Sequence, residues 1–94
     1  MQQWLTCSIG PGQFPTEYAV SGVQQNGKAF SLFAPRDSVS PLSDEKGLVR
    51  VDVVDKRGDL VLVRLPAQTF ENGQHVTVKA SDLQAAPPAA KAAS

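Results

Sequence analysis

Apolar and polar residues alternate along most of this chain, and turn residues cut the alternation into short runs. A two-residue period marks strands with one buried face, and no stretch repeats at the helical spacing. Six strands are predicted: residues 3–9 (QWLTCSI), 17–24 (EYAVSGVQ), 29–34 (AFSLFA), 47–55 (GLVRVDVVD), 59–66 (DLVLVRLP) and 74–80 (QHVTVKA). The fourth and fifth are richest in β-branched residues and stand closest together. Between the first two, Gly10-Pro11-Gly12-Gln13-Phe14-Pro15 reads as a loop, because proline and glycine do not serve a ladder. Asn26-Gly27 and Asn72-Gly73 are turn signals, since both residue types tolerate positive φ.

Parity then assigns faces. An odd-numbered loop around Gly58 places Val49, Val51, Val53, Val61, Val63 and Leu65 on one side of the sheet. An even-numbered loop splits the valines, because a one-residue slip turns a whole strand over. A three-residue loop, Lys56-Arg57-Gly58, is therefore expected, with Gly58 left-handed. The same reasoning gives a three-residue loop ending at Gly27. It gathers Tyr18, Val20, Phe30, Leu32 and Ala34 on one face and sets Phe30 opposite Gly22. Shifting the chain by 31 residues lays Val20 on Val51, Val23 on Val54, Gly27 on Gly58 and Pro35 on Pro66, as two similar hairpins sharing one core would. Arg57-Gly58-Asp59 is also the tripeptide of many cell-adhesion ligands. A solvated hairpin tip that needs glycine accounts for it without adhesion.

The polar stretch 36–47 separates the hairpins. Ser40 is placed to cap a single helical turn with Pro41 at its first position, an irregular loop being the alternative. After the last strand, Ser81-Asp82-Leu83-Gln84 fits a capping box and predicts one short helical turn. The expected fold is all-β: a small six-strand, partly open, SH3-like barrel built from two similar hairpins, ending in a short helical turn. An OB-type barrel or a small sandwich is the alternative. Residues 1–84 form one domain. Residues 85–94 (AAPPAAKAAS) have little to bury and read as a disordered Ala/Pro tail.

Composition narrows the function. The chain has 94 residues with nine basic and nine acidic side chains, so its formal charge is zero. Proteins that hold nucleic acid by neutralising phosphates usually carry a basic excess. One cysteine, Cys7, and one histidine, His75, do not make a structural zinc site. His75 has no triad partners in defined places, and Gly10-Pro11-Gly12 lacks the lysine and helix of a phosphate loop. No catalytic residue and no cofactor are expected. The N-terminus has no basic stretch before a long apolar run, and no apolar run approaches a membrane span. A cytoplasmic location and no membrane partner are expected.

The fifth strand is apolar on both faces. Val61, Val63 and Leu65 fill the core, while Leu60 and Leu62 point away from it. A one-sided sheet alternates, so the second face calls for a cover, supplied by the chain or by another molecule. The candidate partner-binding residues are Val54, Leu60 and Leu62, flanked by Arg50 and Arg64, with Phe33 extending the patch. The expected function is a protein-interaction module whose partner is another protein or a second copy. The alternative is a nucleic-acid-binding barrel using Arg50, Arg64, Lys79, Lys56 and Arg57 as a basic stripe, with exposed aromatic rings stacking bases.

Overall fold

A computed structural model describes residues 2–70 and 73–85. It is all-β. Eight strands run in chain order: β1 (Gln2–Pro11), β2 (Glu17–Val23), β3 (Ala29–Pro35), β4 (Val39–Pro41), β5 (Lys46–Arg57), β6 (Leu60–Arg64), β7 (His75–Lys79) and β8 (Leu83–Gln84). Six of them form one antiparallel sheet in the order β3-β2-β1-β5-β6-β7, with β4 on β5 and β8 on β1. The six predicted strands are all present. The two added ones are two or three residues long, too short for any period to announce. The tail expected beyond Ala85 lies outside the described residues, as does Asn72.

The β2–β3 hairpin follows the parity argument. Gln24 N–H donates to the Lys28 carbonyl at 2.8 Å, leaving a three-residue loop that ends at Gly27, φ 86°. Gly22 pairs with Phe30, whose ring covers the bare backbone. The β5–β6 hairpin reaches the expected faces by another route. Arg57 pairs with Leu60, so the loop has two residues, Gly58 and Asp59. Gly58, φ 61°, takes the first central position, where a type II′ turn places glycine. That even loop alone would set Val54 opposite Val63. A β-bulge between Val53 and Asp55 shifts the register by one, and Val53 faces Val63. Val51, Val61, Val63 and Leu65 are consequently buried together.

Two local expectations are corrected. No helical turn follows Ser40. A 3₁₀ turn precedes it at Arg36–Ser38, and β4 pairs with β5 so that Val39 lies buried opposite Val49. Burial of one valine outweighs the local preference of Ser-Pro for a helix start. The Ser81–Gln84 capping box also does not form. The expected short turn exists, but as 3₁₀ at Ala80–Asp82 with no side-chain cap, and Gln84 belongs to β8 opposite Trp4.

The sheet curls into a partly open barrel whose outer strands meet through loops. Gln25 N–H, at the tip of the first hairpin, donates to the Thr77 carbonyl on β7 at 2.9 Å. Phe70 N–H, from the β6–β7 loop, donates to the Ser31 carbonyl on β3 at 2.8 Å. Leu5, Cys7, Ile9, Val20, Phe30, Leu32, Val49, Val51, Val61, Val63, Leu65, Val76 and Val78 fill the interior. Among the described residues there is no α-helix, so the OB-type alternative lacks its usual helix.

The two halves also repeat one another. Each consists of a long strand, a hairpin, a 3₁₀ turn and a short returning strand. A shift of 44 residues, from Arg36 to Ala80, lays one 3₁₀ turn on the other. It also carries the pair Val39–Val49 onto Leu83–Leu5, and Ser40–Leu48 onto Gln84–Trp4. The pair Leu5–Val49 maps onto itself and marks a pseudo-twofold axis between β1 and β5. The 31-residue likeness of the hairpins is a likeness of turns. The architectural repeat is this longer one.

Candidate functional site

Three rows of side chains cross the outer face of β5, β6 and β7: Asp52, Arg64 and His75; then Asp55, Leu62 and Thr77; then Arg57, Leu60 and Lys79. Leu60 and Leu62 are half-buried and, with Asp55, Arg57 and Thr77, line an open hollow of about 300 Å³. No strand or loop of the described chain covers it. Val54 is the bulged residue and is 53% exposed, because a bulge leaves its extra residue unpaired and turned out of the ladder. The hollow thus has an apolar floor and a charged rim, in which Arg57 Nε stands 3.4 Å from Asp55 Oδ2.

Phe33 does not line this hollow. Its ring is met edge-on by Phe70, with centroids 5.0 Å apart, and it belongs to the β3 side of the barrel. The aromatic pair packs the β6–β7 loop over β3. Thr77 and Asp55 were absent from the candidate residues drawn from the sequence. Thr77 was legible, since it sits between Val76 and Val78 in a strand whose valines point inward. Asp55 was not, because the bulge reverses its parity.

The five basic residues of the expected stripe fall into two groups. Lys56, Arg57 and Lys79 cluster at the β5–β6 tip and its neighbour, where Lys79 borders a second hollow with Asp59, Leu60, Ala80 and Ser81. Arg50 and Arg64 line a polar cleft at the other end of the hairpin. The row holding Asp55, Leu62 and Thr77 lies between the groups. Asp52 pairs with Arg64 at 3.0 Å, and Asp55 takes Arg57. The expected basic stripe is interrupted by acids and leucines, an arrangement poorly suited to tracking a phosphate backbone.

Elsewhere the polar features are structural. Arg36 lies over the Tyr18 ring, 4.6 Å from its centroid, and donates to the Pro15 carbonyl. It thereby ties the 12–16 loop to the start of the 3₁₀ turn, while Phe14 in that loop is 63% exposed. Cys7 is buried on the inner face of β1, its thiol donating to the Gly47 carbonyl at 3.5 Å. Burial pushes that thiol up to about 12, and the nearby Lys46 charge offsets this only in part. Such a thiol is a core side chain and a poor nucleophile. Among the described residues no cluster of three or more His, Cys, Asp or Glu is placed to hold a metal. No helix among them is long and apolar enough to cross a membrane. No family model, no curated protein and no solved structure matches this chain.

Proposed function

We propose that this chain is a non-catalytic β-barrel binding module acting through protein–protein contact, with the hollow over Leu60 and Leu62 as its contact surface. One observation carries the reading: β6 is apolar on both faces, and the described residues cover only one of them. A contiguous apolar floor inside a polar rim is the usual anatomy of an interface.

The rim favours a second copy as the partner. Asp55 and Arg57 are exposed and of opposite sign. A twofold pairing across this face brings each arginine to the other copy's aspartate while the leucines meet. Zero formal charge leaves little long-range repulsion between copies. An SH3-like assignment of the barrel rests on the 3₁₀ turn at Ala80–Asp82 leading into a short last strand that returns to β1. A reducing cytoplasm suits a chain whose single cysteine is a buried free thiol.

The test is light scattering over a concentration series, on the wild-type chain and on Leu62→Arg. Wild type is expected to rise from the mass of one chain toward that of two. Leu62→Arg is expected to stay at one chain with an unchanged circular dichroism spectrum. A wild-type chain that remains monomeric at the highest concentration overturns the self-association reading.

A further inference from the structure

The two central strands each change partner once along one edge. β5 pairs with β4 through Val49 and with β6 from Asp52 onward, so Arg50 and Val51 face a gap in the ladder. β1 has the same gap at Thr6 and Cys7, between Leu5 on β8 and Ser8 on β2. The 44-residue shift equates these positions: Thr6 with Arg50, Cys7 with Val51, and Asp82 with Ser38. The halves are therefore controls for each other. Both gaps close the same architecture, yet one carries an exposed threonine where the other carries an arginine. The fold does not require a cation there.

The gap at Arg50 opens into a polar cleft of about 270 Å³. Gln2, Ser38, Arg50, Asp52, Arg64 and Gln74 supply its polar walls. Ser38 is only 4% exposed, and its Oγ accepts a hydrogen bond from Arg50 Nη2 at 3.3 Å. A neutral hydroxyl thus holds one edge of the guanidinium in place. No carboxylate among the described residues lies within 4.0 Å of Arg50, and the one acid in the cleft, Asp52, is engaged by Arg64. Among the described residues the cleft carries two cations, Arg50 and Arg64, against one anion, Asp52. Half-burying an arginine without an acid costs solvation that an entering anion restores.

We propose that this cleft is a binding site for a small oxyanion, a carboxylate or phosphate group. Arg50 is its principal ligand and Arg64 the second arm. A guanidinium presents a planar fork of donors that matches both groups. The cleft is slightly smaller than most ligand pockets, which span roughly 300–1,000 Å³, so it admits one acidic group with a few attached atoms. The site is separate from the leucine hollow and does not depend on self-association.

The test titrates the isotope-labelled full chain with sodium acetate in one arm and inorganic phosphate in the other, at fixed ionic strength. Backbone amide and arginine Nε–H resonances are followed. Saturable shifts centred on Ser38, Arg50 and Arg64 are expected, and the arm that saturates at lower concentration identifies the preferred acid. Arg50→Thr installs the residue that the other half of the barrel tolerates at this position. It is expected to fold and to weaken binding roughly tenfold or more, the worth of one charge-assisted hydrogen bond. Arg64→Gln, at an exposed position, provides a second variant with the same expected direction. Lys28→Gln, at the exposed β2–β3 turn, is expected to leave the titration unchanged. Linear, non-saturating shifts in both arms, or saturation in Arg50→Thr and Arg64→Gln at the same concentrations as in wild type, overturn the proposal.

Discussion

Val54 bulges out of β5 four residues before Gly58 turns the hairpin, and the extra residue offsets the even-numbered loop that Gly58 opens. Without the bulge, a two-residue loop places Val54 opposite Val63 and turns the β5 valines away from those of β6. With it, both sets face inward, and Leu60 and Leu62 are left on the outer surface.

This relationship predicts which deletions the chain absorbs. Removing Val54 leaves Val53 opposite Val63 and Asp55 opposite Leu62 in a regular ladder. The deletion is expected to fold cooperatively, at a cost within about 2 kcal/mol, in the ordinary range for a single change. Removing Asp52 puts Val51 and Val53 on opposite faces while β1 and β4 hold the strand upstream. That variant is expected to lose its cooperative unfolding transition in urea. Equal behaviour of the two deletions would contradict the role given to the bulge.

Gly22 and Phe30 make a second pair whose coupling is measurable. A Cβ at Gly22 would stand 2.7 Å from Phe30 Cζ, inside contact distance. Phe30 is 2% exposed and has little room to move. Gly22→Ala is expected to destabilise by about 1–3 kcal/mol, as overpacking does. In the Phe30→Leu background the same change is expected to cost less. The coupling appears in a double-mutant cycle from urea denaturation. A strictly additive cycle would show that the ring does not hold Gly22 in place.

The thiol of Cys7 gives the chain an alkaline limit. Burial lifts its folded value to about 12, above the ordinary thiol value of 9.0. Between those values the unfolded thiol has lost its proton and the folded one has kept it. The unfolded state binds fewer protons, so stability falls as pH rises, by about 1.4 kcal/mol per unit from this group. Wild type minus Cys7→Ala is therefore expected to fall in stability from pH 9 upward, and to be flat below pH 8. Comparing the two chains cancels the titration of other groups. Alkylation of native Cys7 is expected to proceed only through unfolding, with a rate that rises with urea.

Much of this fold was readable in advance. Six strands, the members of the inner face, and the Gly22–Phe30 contact followed from alternation and from where glycines stand. The missing parts have a common cause. β4 and β8 are too short to show a period, and they are held by single buried or half-buried side chains, Val39 and Leu83, against the central strands. The bulge at Val54 gives the same facial outcome as an odd loop, so parity alone does not distinguish the two. At the candidate surface, Leu60 and Leu62 stood out because they break the alternation of β6. Ser38 gave no signal, since nothing in the sequence brings a serine of the 36–38 turn beside Arg50. Phe33 was placed by parity on the outer face, but its ring partner, Phe70, lies in a loop that no period predicts.

The most direct test of the account follows the methyl groups of the native chain through a dilution series by NMR. If the hollow is the contact surface, the methyl resonances of Leu60, Leu62 and Thr77 move together with concentration and fit one dissociation constant, while those of Val61, Val63 and Leu65 stay fixed. Methyl resonances that are all independent of concentration, or movement confined to other exposed residues such as Val23 and Leu42, would contradict it.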